Sequence, residues 1–143
     1  MPAYRETPVL VVDDVLLIIE VVRTVLGQLG FRDVDAARDG SDALVRMHKR
    51  RYGLVISDWN MDQVTGYELL RRVRADPDLR ETPFLMMTTK EQAHCFEAAR
   101  RAGVNGCLIK PFSPAALRKA IEDVWPADHF PTGSSSVSAT SLL

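Results

Sequence analysis

The chain is short of several things at once, and each shortage removes a class of function. Two cysteines, Cys95 and Cys107, among 143 residues cannot make a disulfide framework and read as reduced, packed thiols. Neither sign of charge dominates: a formal net charge of -1 gives no electrostatic case for nucleic acid or for an anionic membrane as partner. No apolar stretch is long enough to span a bilayer, and residues 1–7 lack the basic-then-apolar pattern of a signal peptide, so the expected compartment is the cytoplasm. The three histidines, His48, His94 and His129, have neither metal-ligand spacing nor a Ser/Asp partner pattern and read as surface residues. What is present is 46% apolar and 26% charged residues, the composition of one soluble globular domain with a real core.

The informative residues are acidic. Asp58 ends the apolar run Leu54-Val55-Ile56-Ser57, and a second run, Val9-Leu10-Val11-Val12, ends in Asp13-Asp14. Two buried strands thus deliver three carboxylates to one edge of a sheet, where they repel unless protons or a cation offset the charge. A hard divalent cation with oxygen ligands, Mg2+ foremost, suits such a site. Two further runs end the same way: Phe84-Leu85-Met86-Met87 in Thr88, and Cys107-Leu108-Ile109 in Lys110. Taken singly, Asp14 reads as a helix cap, Lys110 as a solvated charge and Thr88 as a turn residue. Together, carboxylates, a hydroxyl and an ammonium at successive strand ends form a set suited to a phosphoryl group.

Strand and helix signals alternate along the chain. Strands are expected near 8–12, 34–37, 54–57, 84–87 and 106–109. Helices are expected near 15–29, 41–49, 66–75, 92–102 and 113–124, with Leu44, Val45 and Met47 inward in the second. Gly30 and Gly103 stop two helices, Asp76-Pro77 halts another, and Ser113 with Pro114 opens the last. Single helices between strands make right-handed crossovers and hence a parallel α/β sheet covered on both faces, doubly wound, with its ligand beyond the C-terminal strand ends. Residues 1–7 read as an N-terminal extension, 8–125 as the domain, and 126–143, rich in small residues, as a flexible tail with no room for a DNA-binding or catalytic output domain.

On Val11-Val12-Asp13-Asp14, Val55-Ile56-Ser57-Asp58-Trp59-Asn60-Met61, Leu85-Met86-Met87-Thr88 and Lys110-Pro111-Phe112, the chain resembles a receiver domain of the two-component response regulators, closely the chemotaxis (CheY-like) single-domain members. The resemblance runs from about Pro8 to Trp125. It implies the flavodoxin-like strand order 2-1-3-4-5 with five helices. It also implies that Asp58 is the phosphoacceptor, that Asp13, Asp14, Asp58 and the backbone carbonyl of Asn60 hold Mg2+, that Thr88 and Lys110 contact the phosphoryl group, and that the Lys110-Pro111 bond is cis. The implied partners are a histidine kinase or histidine phosphotransfer protein and a downstream protein, and the implied role is a phosphorylation-controlled switch, the alternative being a phosphorelay shuttle or phosphate sink.

Several positions depart from that pattern. Cys107 stands where the family usually has Tyr or Phe, Thr89 where Ala or Gly is frequent, and Asp62 where Pro commonly follows the Met. With no ring at Cys107, the output surface is expected around the helix after Thr88, with Phe96 as its exposed aromatic contact. In the first helix, apolar residues surround the axis instead of forming one stripe, so Leu16, Leu17 and Ile19 are expected to supply a surface for the kinase or for a second copy in a homodimer.

Overall fold

A computed structural model describes residues 6–61 and 64–124, and it orders them as alternating strands and helices. The strands are β1 (Val9–Val12), β2 (Val34–Ala37), β3 (Leu54–Asp58), β4 (Phe84–Thr89) and β5 (Gly106–Lys110). The helices are α1 (Leu16–Gln28), α2 (Gly40–Lys49), α3 (Gly66–Ala75), α4 (Phe96–Arg101) and α5 (Pro114–Val124), with a 3-10 segment at Lys90–Cys95 before α4. All sheet pairs are parallel and the order is β2-β1-β3-β4-β5, the flavodoxin-like topology.

Every residue of β1 and β3 is buried, because helices cover both faces and leave no solvent side to alternate with. One face packs Val9, Val11, Leu54 and Ile56 against α1 (Ile19, Val22, Val25, Leu26) and α5 (Leu117, Ile121, Val124). The other packs Leu10, Val12, Val55 and Met86 against α2 (Ala43, Met47) and α3 (Leu69, Leu70, Val73). Local chemistry sets several boundaries. Asp39 accepts a hydrogen bond from the Asp42 amide at the start of α2, Thr65 does the same for the Glu68 amide at α3, and Ser113 Oγ for the Ala116 amide at α5. After α1, Gly30 takes φ = 108°, a left-handed conformation that only glycine adopts without cost.

Three expectations need correction. Val45 is exposed: the buried stripe of α2 is Gly40, Ala43 and Met47, at helical spacing, and Val45 falls off it. The expected helix over 92–102 divides into a 3-10 segment and a short α4 in which only Ala99 is fully buried, so little apolar burial pulls the first turn into regular α geometry. Ile19 is 1% exposed, deep in the core, and cannot belong to a partner surface, whereas Leu16 and Leu17 are 56% and 70% exposed. The 126–143 tail, Asp62, His129 and most of the N-terminal extension lie outside the described residues.

Candidate functional site

Register assembles the site. Val12 pairs with Ser57, so the residues that follow, Asp13 and Asp58, emerge side by side at the C-terminal edge of the sheet. Asp58 pairs with Met87, which places Thr88 one residue beyond, and Thr89 pairs with Lys110. Four adjacent strands therefore contribute a carboxylate, a second carboxylate, a hydroxyl and an ammonium in spatial order.

Asp13 is fully buried and Asp58 nearly so, and with Asp14 they present one oxygen each, all within 4.8 Å of one another. Lys110 Nζ lies 3.0 Å from Asp58 Oδ1 and 3.7 Å from Asp13 Oδ2. The longer contact is an ion pair beyond hydrogen-bond reach, which is why Asp13 Oδ2 has no hydrogen-bond donor although a cation is near. Asp13 Oδ1 accepts from the Val15 amide at 2.9 Å, tying the β1–α1 turn to the site. Burial lifts the Asp13 carboxyl to about 6; the Val15 amide opposes this, the Asp58 charge adds to it, Lys110 counters it and Asp14 adds again. Burial also raises Asp58, against its hydrogen bond and charge interaction with Lys110.

The donor set fits a divalent cation. It consists of hard oxygens, one of which, Asp13 Oδ2, is buried without a hydrogen-bond donor, and one ammonium cannot neutralise three carboxylates. Thr88 Oγ1 is likewise buried and has no hydrogen-bond partner, so its hydroxyl is free to serve a bound group. Asp14 is half-buried and does not cap α1, whose N-cap Val15 has no side-chain cap bond. Asn60 is exposed two residues past Asp58.

The residues expected at a partner surface scatter. Leu16 and Leu17 remain exposed, with Val15 and Val21 beside them. Phe96 is half-buried and is not the exposed aromatic expected, since α4 begins at it and turns it partly inward. Cys107 is half-buried, opposite Met86 in register and packed on the α2/α3 side of the core, and that burial raises its thiol pKa. Lys110-Pro111 is cis.

Sequence reasoning missed Gly66. A Cβ there would meet the Asp58 carbonyl oxygen at 2.0 Å and the Met86 sulfur at 3.1 Å, so the start of α3 packs directly on the backbone of the acidic strand end. The Thr65-x-x-Glu68 capping pattern was the signal that fixed this entry. Also unforeseen is the stack in which the Trp59 ring lies 5.3 Å from Tyr67, over which Arg71 sits at 5.9 Å.

A family model for the response regulator receiver domain matches residues 9–122. The chain belongs to that family. It is 38% identical over 117 residues to the chemotaxis protein CheY of Pseudomonas aeruginosa, covering 82% of this chain and 94% of that protein. It is 36% identical over 121 residues to CheY-3 of Vibrio cholerae, covering 85% and 93%. The solved structure of V. cholerae CheY4 superposes with a TM-score of 0.77 at 36% identity, over 83% of this chain and 98% of that one. The receiver domain of a P. aeruginosa sensor histidine kinase, at 28% identity and a TM-score of 0.74 over 82% and 96%, holds a magnesium ion in its active-site cleft. CheY-like receiver domains are signalling proteins of two-component systems that act by phosphorylation. No helix among the described residues is long and apolar enough to cross a membrane.

Proposed function

We propose that this chain is a cytoplasmic single-domain response regulator. It accepts a phosphoryl group on Asp58 from a histidine kinase or histidine phosphotransfer protein and signals through protein contacts. The observation that carries the reading is the Lys110–Asp58 contact at 3.0 Å, set between two further carboxylates and the unpartnered Thr88 hydroxyl. Lys110 occupies Asp58 Oδ1, which leaves the other carboxylate oxygen as nucleophile. That oxygen forms a bond to phosphorus while the bond from phosphorus to the donor nitrogen breaks, and the product is an acyl phosphate on Asp58. Thr88 donates its hydroxyl hydrogen to a phosphoryl oxygen, and Lys110 turns its charge to the same group. Asp13, Asp14, Asp58 and the Asn60 carbonyl would hold Mg2+, which offsets the negative charge of the phosphoryl oxygens and of the carboxylates.

Incubation with a small-molecule acyl phosphate and Mg2+ tests this. The parent protein should be labelled, whereas the Asp58→Asn variant and an EDTA-treated sample should not. Labelling of the folded Asp58→Asn variant would move the acceptor to another residue. The exposed Leu16 and Leu17 beside Asp14 support a phosphodonor docking face. A phosphate held long enough for a partner to bind only the labelled form marks a switch; rapid return to a histidine donor, with no such partner, marks the shuttle.

A further inference from the structure

We propose that a cavity at the sheet edge opposite the acidic cluster binds a small phosphate monoester that also carries hydroxyl groups, with Lys49 and Arg51 holding the phosphate and Asp78 and Thr82 the hydroxyls. The cavity measures about 300 Å³, at the small end of the range for ligand sites. Its residues come from the end of α2, the turn into β3 and the turn that leads from α3 into β4. Tyr52 lines it and stands six residues before Asp58, which at strand rise puts roughly 20 Å between the cavity and the acidic cluster.

The charges around the cavity are unevenly committed. Arg50 has an extended backbone, φ -151° and ψ 139°, so side chains alternate in direction along this stretch. Arg50 and Tyr52 fall on one side. Both reach Asp35, Arg50 also pairs with Asp33, and its guanidinium lies 5.6 Å from the Tyr52 ring centre. His48 is likewise engaged, by Asp76 at 2.8 Å and by the Leu44 carbonyl at 2.9 Å. Lys49 and Arg51 fall on the other side of the alternation, and among the described residues neither side chain has an ion pair or a hydrogen bond. The Asp78 carboxylate and the Thr82 hydroxyl, on the facing turn, accept and donate no hydrogen bond there either.

Those four groups describe a ligand. Two uncommitted cations suit a doubly charged phosphate, and the planar fork of an arginine takes two of its oxygens together. A carboxylate facing the same space repels a second anionic group yet accepts hydrogen bonds from hydroxyls, which a threonine hydroxyl can also donate to or accept from. Met47, Tyr52 and Leu79, all buried, make an apolar floor for the carbon skeleton between them. Lys49 and Arg51 are exposed, so water screens them and the expected dissociation constant is on the order of 1 mM.

Glucose 6-phosphate is the probe, titrated into the full chain without Mg2+ or phosphodonor, so that chemistry at Asp58 does not enter, while backbone amide shifts are followed by NMR. The expected result is a saturable shift confined to residues 48–52 and 78–82, weakened roughly tenfold in Lys49→Ala and in Arg51→Ala, and several-fold weaker for inorganic phosphate than for the ester. Both substitutions remove exposed side chains without partners among the described residues, so the fold should persist. Shifts that do not saturate, that fall at the Asp58 edge, or that persist unchanged in both variants overturn the proposal. So does an equal affinity for inorganic phosphate, because the hydroxyl contacts would then contribute nothing.

Discussion

At the scale of single residues, Asp13 is a buried carboxyl whose charge the metal-free protein bears at a cost. Its carboxyl titrates near 6 in the fold, against an ordinary value of 3.8, because burial and its acidic neighbours disfavour the charge. The folded state therefore binds a proton that the unfolded chain has already released, and stability falls as pH rises from about 4 to about 6. At pH 7 the cost amounts to about 3 kcal/mol at most. Asp13→Asn should raise the melting temperature of the chelated protein at pH 7, flatten the acid limb of its stability profile and weaken Mg2+ binding. A variant no more stable than the parent, in chelator at pH 7, would contradict the assignment of that cost to Asp13. Thr88 is the complementary case, because its hydroxyl is buried without a bond. Thr88→Val should leave stability within about 1 kcal/mol, since no hydrogen bond is lost, yet slow phosphoryl transfer to Asp58 measured with a small-molecule donor.

At the scale of elements, two glycines make opposed predictions. Gly66 begins α3 against the Asp58 carbonyl, and a methyl group there would clash with backbone. Gly66→Ala should destabilise by roughly 1–3 kcal/mol and slow labelling, because the acceptor strand must shift. Gly27 lies inside α1, and a methyl group added there would meet nothing within 4 Å. Gly27→Ala should instead stabilise by about 0.5–1 kcal/mol, read in the same denaturant titration. The junction of α2 and α3 is held by His48, whose ring nitrogens face two acceptors, the Leu44 carbonyl at 2.9 Å and the Asp76 carboxylate at 2.8 Å. Serving both requires both N–H groups, hence the imidazolium, and the Asp76 hydrogen bond leads the upward shift of its pKa. The tie is present below the ordinary value of 6.5 and is lost as pH rises through the raised one. Asp76→Asn should lower the His48 pKa in an NMR titration; an unmoved value would mean that the contact does not persist in solution.

Most of these elements are legible from apolar runs and punctuation: the β2 and α3 bounds coincide with expectation, and Gly30 stops α1. The division of the fourth helix is not, since no Gly or Pro marks it and burial alone decides it. Val45 facing outward and Ile19 facing inward are not legible either, because an apolar residue type does not fix which way it points once most of its neighbours are apolar too.

At the scale of the whole molecule, the carboxylates, hydroxyl and ammonium lie 13 to 110 residues into the chain and meet only because a parallel sheet aligns its strand ends. That convergence is legible, since each polar residue directly follows an apolar run. Gly66's approach to Asp58 and the buried Asp13 and Thr88 oxygens lacking hydrogen bonds are not, because contact distance and hydrogen-bond satisfaction emerge only from packing. The measurement that tests the account most directly is the location of the phosphoryl group itself. The wild-type protein is treated with an acyl phosphate and Mg2+, digested with trypsin at low temperature, and its peptides are sequenced by mass spectrometry. The label should fall on the fragment spanning residues 52–71, at Asp58 and at no other acidic position. A label on the fragment that carries Asp13 and Asp14, or equal labelling in a chelated sample, would contradict it.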